Sequence, residues 1–443
     1  MRAPLLMLVA ACNGDITLEV ASDRPVPSAI DSICVGVADT SARGGQFGRD
    51  YALTGKLASL PQTLRVDPGG VASATVWVRG DRGGVPAALA ATRTDFGGDV
   101  TLSLDACVKG PAALPQAMGA PVGPGGALLA ASEGAGGNVV LAIGASGAAL
   151  IDARSGALVT ADLPPLPVGK PVALVTADLD GDCDDDAIIA TDGAAPEIWL
   201  RDHATFTDAG PIGNSTVAAI ATADVDRDGA VDVIMGGGGT LQLWRNDGGG
   251  SFTLDPAALD GGAATAISAI AAGDLDGDGN ADLVVGQSPG TLLAWLGDPG
   301  GTGSFAATDG VVPAESLDVE RLTLADADGD FDPDLGIAVR GAPWKLLVDR
   351  DGVLEDQSFV RLPQPVPTVH AIAFGGWDDG CEPDAVVASD SGAPTLHGQP
   401  GGAFAAEMDQ PPAATDVVMV DLDDDGALDA VLATPNGVVW LAR

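Results

Sequence analysis

Side chains that carry out acid–base or nucleophilic chemistry are scarce in this sequence. There are three histidines, His203, His370 and His397, and one tyrosine, Tyr51. The histidines lie far apart and none stands beside a Ser or Cys nucleophile motif. The sequence also contains no Gly-x-Ser-x-Gly, His-Glu-x-x-His or phosphate-binding loop. Because catalysis needs several such groups at defined spacing, the sequence favours a protein that is not an enzyme.

Basic residues are also few, since 21 Lys and Arg stand against 62 Asp and Glu, for a net charge of −41. Such a chain repels nucleic acid phosphates, so DNA and RNA are not expected partners, and direct adsorption to anionic lipid is disfavoured. The acids are unevenly divided into 54 Asp and 8 Glu. The shorter carboxylate is favoured in turns and in metal sites built from oxygen ligands.

Long apolar runs are missing, because no segment has the roughly 18 consecutive apolar residues that a membrane-spanning helix needs. A short apolar run at residues 1–11 ends in Val9-Ala10-Ala11-Cys12. It resembles the signal of bacterial lipoproteins, which implies cleavage before Cys12 and diacylation of that cysteine. The resemblance predicts an exported protein that is lipid-anchored at the bacterial outer membrane or cell surface and touches the membrane only through that anchor. The alternative is a plain apolar N-terminus or a wrongly assigned start.

Export would place the other four cysteines where disulfides can form. Cys34 and Cys107 both lie in apolar, strand-like surroundings within the first 110 residues, and we expect a bridge between them. Cys183 and Cys381 occupy the same position in two of the repeated loops described below. Their repeats are not neighbours, so whether these two cysteines pair is left open.

The first quarter of the chain shows no internal repeat. Short alternating stretches separated by turn-rich sequence predict a small β-sandwich-like domain over residues 12–110. Residues 111–126 are rich in Pro, Gly and Ala and predict a linker. Within it, residues 116–122 are a candidate closing strand for the repeat array that follows.

Residues 127–443 repeat themselves. In six units an apolar strand leads into a nine-residue loop that is rich in Asp in most of them, and a second apolar strand follows. The loops start 46, 50, 52, 50 and 45 residues apart, and one more step back reaches a unit without the acids, which makes seven units. This period, with several short strands in each unit, predicts an all-β fold with a seven-bladed β-propeller. The loops start at Asp178, Asp224, Asp274, Asp326, Gly376 and Asp421.

A tryptophan follows most of the loops at a nearly constant distance, 10–13 residues after the last Asp, and it lies in a short apolar run. A large apolar residue that recurs at one strand position is usually part of a core, so we predict that these side chains pack between blades. They are Trp199, Trp244, Trp295, Trp344 and Trp440.

The Asp-x-Asp-x-Asp-Gly-x-x-Asp loop, followed by an apolar strand and recurring at this period, resembles the FG-GAP/VCBS repeat family, to which integrin α-subunit propellers belong. The resemblance covers about residues 127–443. It implies a seven-bladed propeller whose loops bind Ca²⁺ between the first two strands of a blade. The N-terminal domain, residues 12–110, resembles no family that we can name.

The loop chemistry supports calcium independently. Ca²⁺ takes 6–8 oxygen ligands, and acids at positions 1, 3, 5 and 9 of a nine-residue loop can surround one ion, with a backbone carbonyl at position 7 and a turn-forming Gly at position 6. Without a cation, four adjacent carboxylates repel each other; solvated acidic turns are the alternative. The loop at 376–384 keeps only Asp378 and Asp384 of the acid pattern, and we expect little or no binding there. The predicted ligands are Asp178, Asp180, Asp182, Asp186, Asp224, Asp226, Asp228, Asp232, Asp274, Asp276, Asp278, Asp282, Asp326, Asp328, Asp330, Asp334, Asp421, Asp423, Asp425 and Asp429.

These features together predict a surface-anchored, calcium-stabilised propeller that acts as a non-catalytic binding or adhesion module for a protein or glycan. Propellers present their ligands on loops held by a rigid scaffold. Two alternatives remain open at this point. One is a carbohydrate-active enzyme, a polysaccharide lyase or hydrolase, because such enzymes also carry these repeats. The other is a purely structural envelope lipoprotein.

Overall fold

The computed structural model describes most of the chain from residue 116 onward and the strands before it. The described residues are 16–22, 32–39, 45–52, 60, 62–66, 73–82, 85–95, 99–103, 116–132, 138–152, 157–159, 163–182, 184–202, 205–260, 266–278, 280–328, 332–350, 352–377, 383–399, 402–406, 412–420 and 428–442.

The described strands within the first 103 residues form two sheets. One has three strands in the order β4-β1-β7, with β1 and β7 parallel, and the other has four in the order β3-β2-β5-β6. Leu18 and Val20 of β1 are buried, as are Ile33 and Val35 of β2. Two sheets are what a sandwich requires, and the sandwich itself stays a prediction. The strands are β1 (Ile16–Ala21), β2 (Ser32–Asp39), β3 (Gly45–Ala52), β4 (Gln62–Val66), β5 (Ser73–Arg82), β6 (Val85–Asp95) and β7 (Asp99–Ser103).

Residues 116–442 form a seven-bladed β-propeller, which confirms the predicted fold class. Each of blades 1 to 4 is an antiparallel meander of four strands, because successive apolar runs are separated by short turns. The strands are β8 (Gln116–Val122), which belongs to blade 7; β9 (Leu128–Ser132), β10 (Val139–Gly144), β11 (Gly147–Asp152) and β12 (Ala157–Val159) in blade 1; β13 (Pro171–Ala177), β14 (Asp186–Thr191), β15 (Glu197–Asp202) and β16 (Thr205–Pro211) in blade 2; β17 (Ala219–Ala223), β18 (Asp232–Gly237), β19 (Thr240–Asn246) and β20 (Phe252–Asp255) in blade 3; and β21 (Leu259–Asp260), β22 (Ile267–Gly273), β23 (Asp282–Gln287), β24 (Gly290–Thr291), β25 (Leu293–Gly297) and β26 (Phe305–Thr308) in or beside blade 4.

Blades 5 and 6 repeat the meander, and blade 7 combines three strands with β8. A single short helix follows blade 5 within the described residues, and none of the helices there is long and apolar enough to cross a membrane. The strands are β27 (Ser316–Leu317), which pairs with β24; β28 (Val319–Ala325), β29 (Asp334–Val339), β30 (Lys345–Asp349) and β31 (Leu354–Asp356) in blade 5; β32 (Ala371–Gly375), β33 (Asp384–Ala388), β34 (Thr395–Gln399) and β35 (Ala403–Ala406) in blade 6; and β36 (Asp416–Val420), β37 (Asp429–Thr434) and β38 (Gly437–Ala442) in blade 7; the helix is α1 (Ser358–Arg361).

The ring closes through two sets of contacts. The innermost strands follow one another around the centre, from β9 to β36, and β36 contacts β9 again. The candidate closing segment forms β8, which pairs antiparallel with β38 from Gln116 opposite Ala442 to Val122 opposite Val438. Blade 7 is thus completed by a strand from the other end of the array, which removes the open edges of the ring.

The core lies between blades. The second strand of most blades is buried from end to end, as in β10, β14, β23, β29 and β37, because neighbouring blades cover both of its faces. The repeated tryptophans join these layers, which confirms their predicted packing: Trp199 lies among residues of blades 1 and 2, Trp295 among those of blades 3 and 4, and Trp344 among those of blades 5 and 6.

Candidate metal centres in the blade loops

The Asp-rich loops all lie at the same end of their blades. Each connects the first strand to the second, so that position 1 follows the first strand and position 9 begins the second. In blade 2, for example, β13 ends at Ala177 and β14 begins at Asp186. The spacing read from the sequence therefore places the loops where the resemblance implies.

The aspartate at position 9 links three segments of its blade. In blade 4, Oδ2 of Asp282 accepts a hydrogen bond from the N–H of Leu275 at 2.7 Å, and Oδ1 accepts one from the N–H of Gly297 in the third strand, also at 2.7 Å. The same two-sided arrangement occurs at Asp186, Asp232, Asp334 and Asp384.

Asp384 shows that this arrangement does not depend on a full set of acids. Its loop, 376–384, has lost most of the pattern, yet Asp384 still accepts hydrogen bonds from Trp377 and Gly398. Sequence reasoning gave Asp384 no role. The signal was present, since Asp384 occupies one of the two pattern positions at which this loop retains an acid.

Positions 1, 3 and 9 come together in four loops. Their carboxylate oxygens approach to within 4.8 Å of one another, which is close enough for one ion to contact all three side chains. The groups are Asp178, Asp180 and Asp186; Asp224, Asp226 and Asp232; Asp274, Asp276 and Asp282; and Asp326, Asp328 and Asp334.

Where position 5 is described, in blades 2 to 4, it lies outside these groups. Oδ1 of Asp228 accepts the N–H of Ala230 at 2.9 Å, and Oδ1 of Asp278 accepts the N–H of Asn280 at 2.8 Å. A short acidic side chain that caps its own turn in this way is common. Position 5 therefore shapes the loop, and its part in a metal site stays a prediction.

The left-handed backbone in these loops occurs at position 4 as well as position 6. Gly229, at position 6, has φ +88°, while position 4 has φ +79° at Gly181, +72° at Gly277 and +59° at Arg227. The sequence analysis singled out only position 6. Two of the three position-4 residues are glycine, as this backbone region favours.

Three position-3 aspartates carry an orphaned oxygen. Oδ1 of Asp180, of Asp226 and of Asp328 is buried and has no hydrogen-bond donor. Burying a carboxylate oxygen without a partner is costly. The same atom in the same loop position of three blades therefore fits a hard cation that binds oxygen.

The pKa values of the clustered acids point the same way. Burial raises the pKa of Asp186 to about 9, and burial raises those of Asp182, Asp232 and Asp282 to about 7; neighbouring carboxylates add to each shift. The charged carboxylates are thus disfavoured when these side chains lie close together without a cation. A bound cation would reverse that preference.

A second acidic group lies beside the blade-2 loop. Asp182, Asp184 and Asp202 also bring carboxylate oxygens within 4.8 Å of one another. Sequence reasoning missed it, because Asp202 stands at the end of β15 and is far from the loop in sequence. The run from Asp182 to Asp186 was the available signal.

Several predicted residues fall outside the described part of the chain. They are Cys12, Cys107, Cys183, Cys381, the side chain of Cys34, Asp330, Asp421, Asp423 and Asp425. The lipidation, both disulfide questions and the blade-7 ligand set therefore stay predictions. Asp429 begins β37 and is buried, like the other position-9 residues.

Residues 178–235, 224–285 and 274–337 each match the FG-GAP-like repeat family. Each match spans two successive loops, so the chain contains FG-GAP-like repeats, as the sequence pattern predicted. No curated protein sequence matches the chain.

Solved structures of several proteins resemble the fold. An Agrocybe aegerita lectin that recognises non-reducing terminal N-acetylglucosamine has 16% identity and a TM-score of 0.44, over 66% of this chain and 83% of that one. The BP39L lectin of Burkholderia pseudomallei has 16% identity and a TM-score of 0.47, over 72% and 99%. The extracellular domain of BT4673 from B. thetaiotaomicron has 13% identity and a TM-score of 0.49, over 74% of this chain and 40% of that one.

Proposed function

From a seven-bladed propeller built of FG-GAP-like repeats, we propose a calcium-stabilised binding module that acts without catalysis outside the cell. The observation that best supports a metal site is the orphaned Oδ1 at position 3 in blades 2, 3 and 5. Positions 1 and 9 of the same loops supply further carboxylate oxygens to each group.

The donor set favours calcium among common metals. All side-chain ligands are carboxylates, and a hard cation with many oxygen ligands suits such a set better than a metal that prefers nitrogen or sulfur. The bound ion would supply positive charge to a crowded acidic loop. Positions 1, 3 and 9 would hold the ion. Position 9 also accepts hydrogen bonds from the loop and from the third strand, so the ion would stabilise the blade through that residue.

The opposite end of the propeller is the proposed ligand surface. There the turns between the second and third strands carry exposed charged side chains, such as Arg340 (56% exposed) and Asp390 (92% exposed). Loops on a rigid scaffold are the usual place for recognition. The proposed ligand is a protein or glycan of the cell exterior, and the proposed anchor is lipid at Cys12.

A thermal melt of the full chain in EDTA, in Mg²⁺ and in millimolar Ca²⁺ tests the metal. A ligand that binds only the folded state stabilises it by about 2.7 kcal/mol for each site at one hundred times its Kd. We expect Ca²⁺ to raise Tm strongly and Mg²⁺ to raise it little. The triple variant Asp180→Asn, Asp226→Asn, Asp328→Asn is the matched control and should lose most of the Ca²⁺ shift. Equal melting curves in all three solutions would contradict the proposal.

Binding to cell-surface protein and glycan arrays, with Ca²⁺ and with EDTA, tests the recognition role. We expect saturable binding that needs Ca²⁺. Turnover of a polysaccharide on the same arrays would replace this proposal with the carbohydrate-active enzyme, and no binding to any fraction would favour a structural envelope protein.

A further inference from the structure

At two of the Asp-rich loops, an arginine from outside the loop contacts the position-3 aspartate. In blade 3, Nη1 of Arg245 lies 3.0 Å from Oδ2 of Asp226. In blade 5, Nη2 of Arg361, the last residue of α1, lies 2.9 Å from Oδ2 of Asp328, and both of these side chains are buried.

In each pair the guanidinium takes one carboxylate oxygen and leaves the other. Oδ1 of Asp226 and Oδ1 of Asp328 are the orphaned oxygens described above. A charge-assisted hydrogen bond from a planar guanidinium fixes the orientation of a carboxylate. Each aspartate is therefore held with one oxygen still available to a cation.

Arg245 also connects the blade-3 loop to blade 4. Its Nη2 donates to the carbonyl of Gly303 at 2.6 Å and to that of Thr302 at 3.3 Å, both in the turn between β25 and β26 of blade 4. Its Nε and Nη2 lie 3.3 Å from Oδ2 of Asp255, which offsets its charge. The guanidinium is thus shared between a metal loop and the adjacent blade.

A contact between position 3 of a loop and the next blade also occurs in blades that have no such arginine. Gly250 of blade 3 and Gly352 of blade 5 lie in the turns between third and fourth strands and have φ of +73° and +83°. A Cβ on Gly250 would lie 3.8 Å from Cβ of Asp180, and one on Gly352 would lie 3.2 Å from Cβ of Asp276. Position 3 of each of these loops therefore contacts the following blade directly.

At blades 3 and 5 the arginine takes part in this contact. Gly303 and Gly402 occupy the corresponding turns, and a Cβ on either glycine would overlap Arg245 or Arg361, respectively. Both arginines thus lie where a metal loop meets the next blade, next to the orphaned oxygen.

We propose that Arg245 and Arg361 are positioning residues for calcium: each orients the position-3 carboxylate toward the ion and couples its loop to the following blade. This inference rests on the proposed calcium binding. A different role, in which the guanidinium is a resident cation that competes with the metal, would have the opposite effect on affinity. Because Asp255 offsets the charge of Arg245, orientation outweighs repulsion at that site.

Isothermal titration of the metal-free full chain with Ca²⁺ tests the inference. We expect Arg245→Met to weaken one site by 10–100-fold, the range found when groups that orient metal ligands are removed. Arg361→Met should weaken the blade-5 site less, because Nη2 of Arg350 also lies 3.3 Å from Oδ2 of Asp328. Arg245→Lys should lose less than Arg245→Met. Lys345→Met, which removes a cation paired with Glu315 and Asp356 and not with a loop aspartate, is the matched control and should leave all sites unchanged.

A double-variant cycle assigns the effect to the blade-3 loop. In an Asp224→Asn background, which already removes a ligand of that loop, Arg245→Met should weaken Ca²⁺ no further. In an Asp274→Asn background, which alters blade 4 instead, the full effect of Arg245→Met should remain.

The outcomes separate the two proposals. If the wild-type chain takes up no Ca²⁺, the proposed function and this inference both fall. If the wild type binds Ca²⁺ and Arg245→Met binds it equally well or more tightly, only the inference falls. A lower Tm of Arg245→Met in EDTA with unchanged Ca²⁺ sites would likewise overturn it, because that is the signature of a purely structural arginine.

Discussion

Replacing Asp384 should destabilise blade 6 whether or not calcium is present. Asp384 is fully buried and accepts two hydrogen bonds, from the N–H of Trp377 at 2.6 Å and from that of Gly398 at 2.8 Å. Asp384→Ala leaves two donors without acceptors, and each costs about 1–3 kcal/mol. The expected loss is therefore about 2–6 kcal/mol of unfolding free energy.

Calcium should not change this loss, because the loop at 376–384 has acids at only two of the four ligand positions, 3 and 9. Asp282 is the matched control. It makes the same two hydrogen bonds, to Leu275 and Gly297, within a loop that does bring three carboxylates together. Asp282→Ala should therefore cost about as much as Asp384→Ala in EDTA and clearly more in Ca²⁺.

Hydrogen exchange is the appropriate assay, because a large ring need not unfold in one step. In Asp384→Ala the amides of Trp377 and Gly398 should lose protection, while those of Leu275 and Gly297 keep it. Urea unfolding of both variants, in EDTA and in Ca²⁺, gives the free energies. A loss below about 1 kcal/mol for Asp384→Ala would refute the role of position 9 as a structural link.

Two further predictions concern other joints between blades. Burial alone would lower the pKa of His370, but its hydrogen bonds with Asp390 and Glu320 and their charges raise it. Its contribution to stability is therefore full below about pH 6.5 and is lost as the pH rises through the raised pKa. The difference in urea midpoint between the wild type and His370→Gln should fall between about pH 6 and 8, and a constant difference would contradict this. Gly402→Ala adds a methyl group that overlaps Asp328 at a residue with left-handed backbone. Gly341→Ala, at φ +69° with open space, carries only the backbone cost of about 1–2 kcal/mol. Gly402→Ala should therefore lower Tm more, and equal melting temperatures would show that the contact between the blades moves to admit the methyl group.

The sequence allowed the blade count, the loop positions and the buried tryptophans to be predicted, because each depends on local spacing. Apolar runs define the strands, and a nine-residue acidic segment between two of them must be a turn at a blade end. The constant spacing of the tryptophans from the loops predicted their packing between blades for the same reason. Even Trp344, which precedes β30 and does not lie within it, packs between blades as its neighbours in the repeat do.

The partners of the acids could not be predicted. Position 9 binds an N–H in the third strand 14–15 residues away, and that pairing depends on how the meander folds back. Arg245 and Arg361 lie 19 and 33 residues from their aspartates in sequence, so these pairs also depend on how each blade folds back on its loop. From spacing alone, position 5 looked equivalent to position 3. The capping of position 7 by Asp228 and Asp278 separates them, and that local competition could have been weighed from the sequence.

The pairing of β8 with β38 has a consequence for how the molecule is made. The two strands are more than 300 residues apart in sequence, so β8 leaves the ribosome long before its partner exists. During that interval blade 7 lacks three of its strands, and β8 is an unprotected edge that other strands can join. Bringing distant ends together costs only slightly more entropy for each added blade, so the delay is set by synthesis more than by loop length. The ring is therefore most exposed to misassembly just before its last strand emerges.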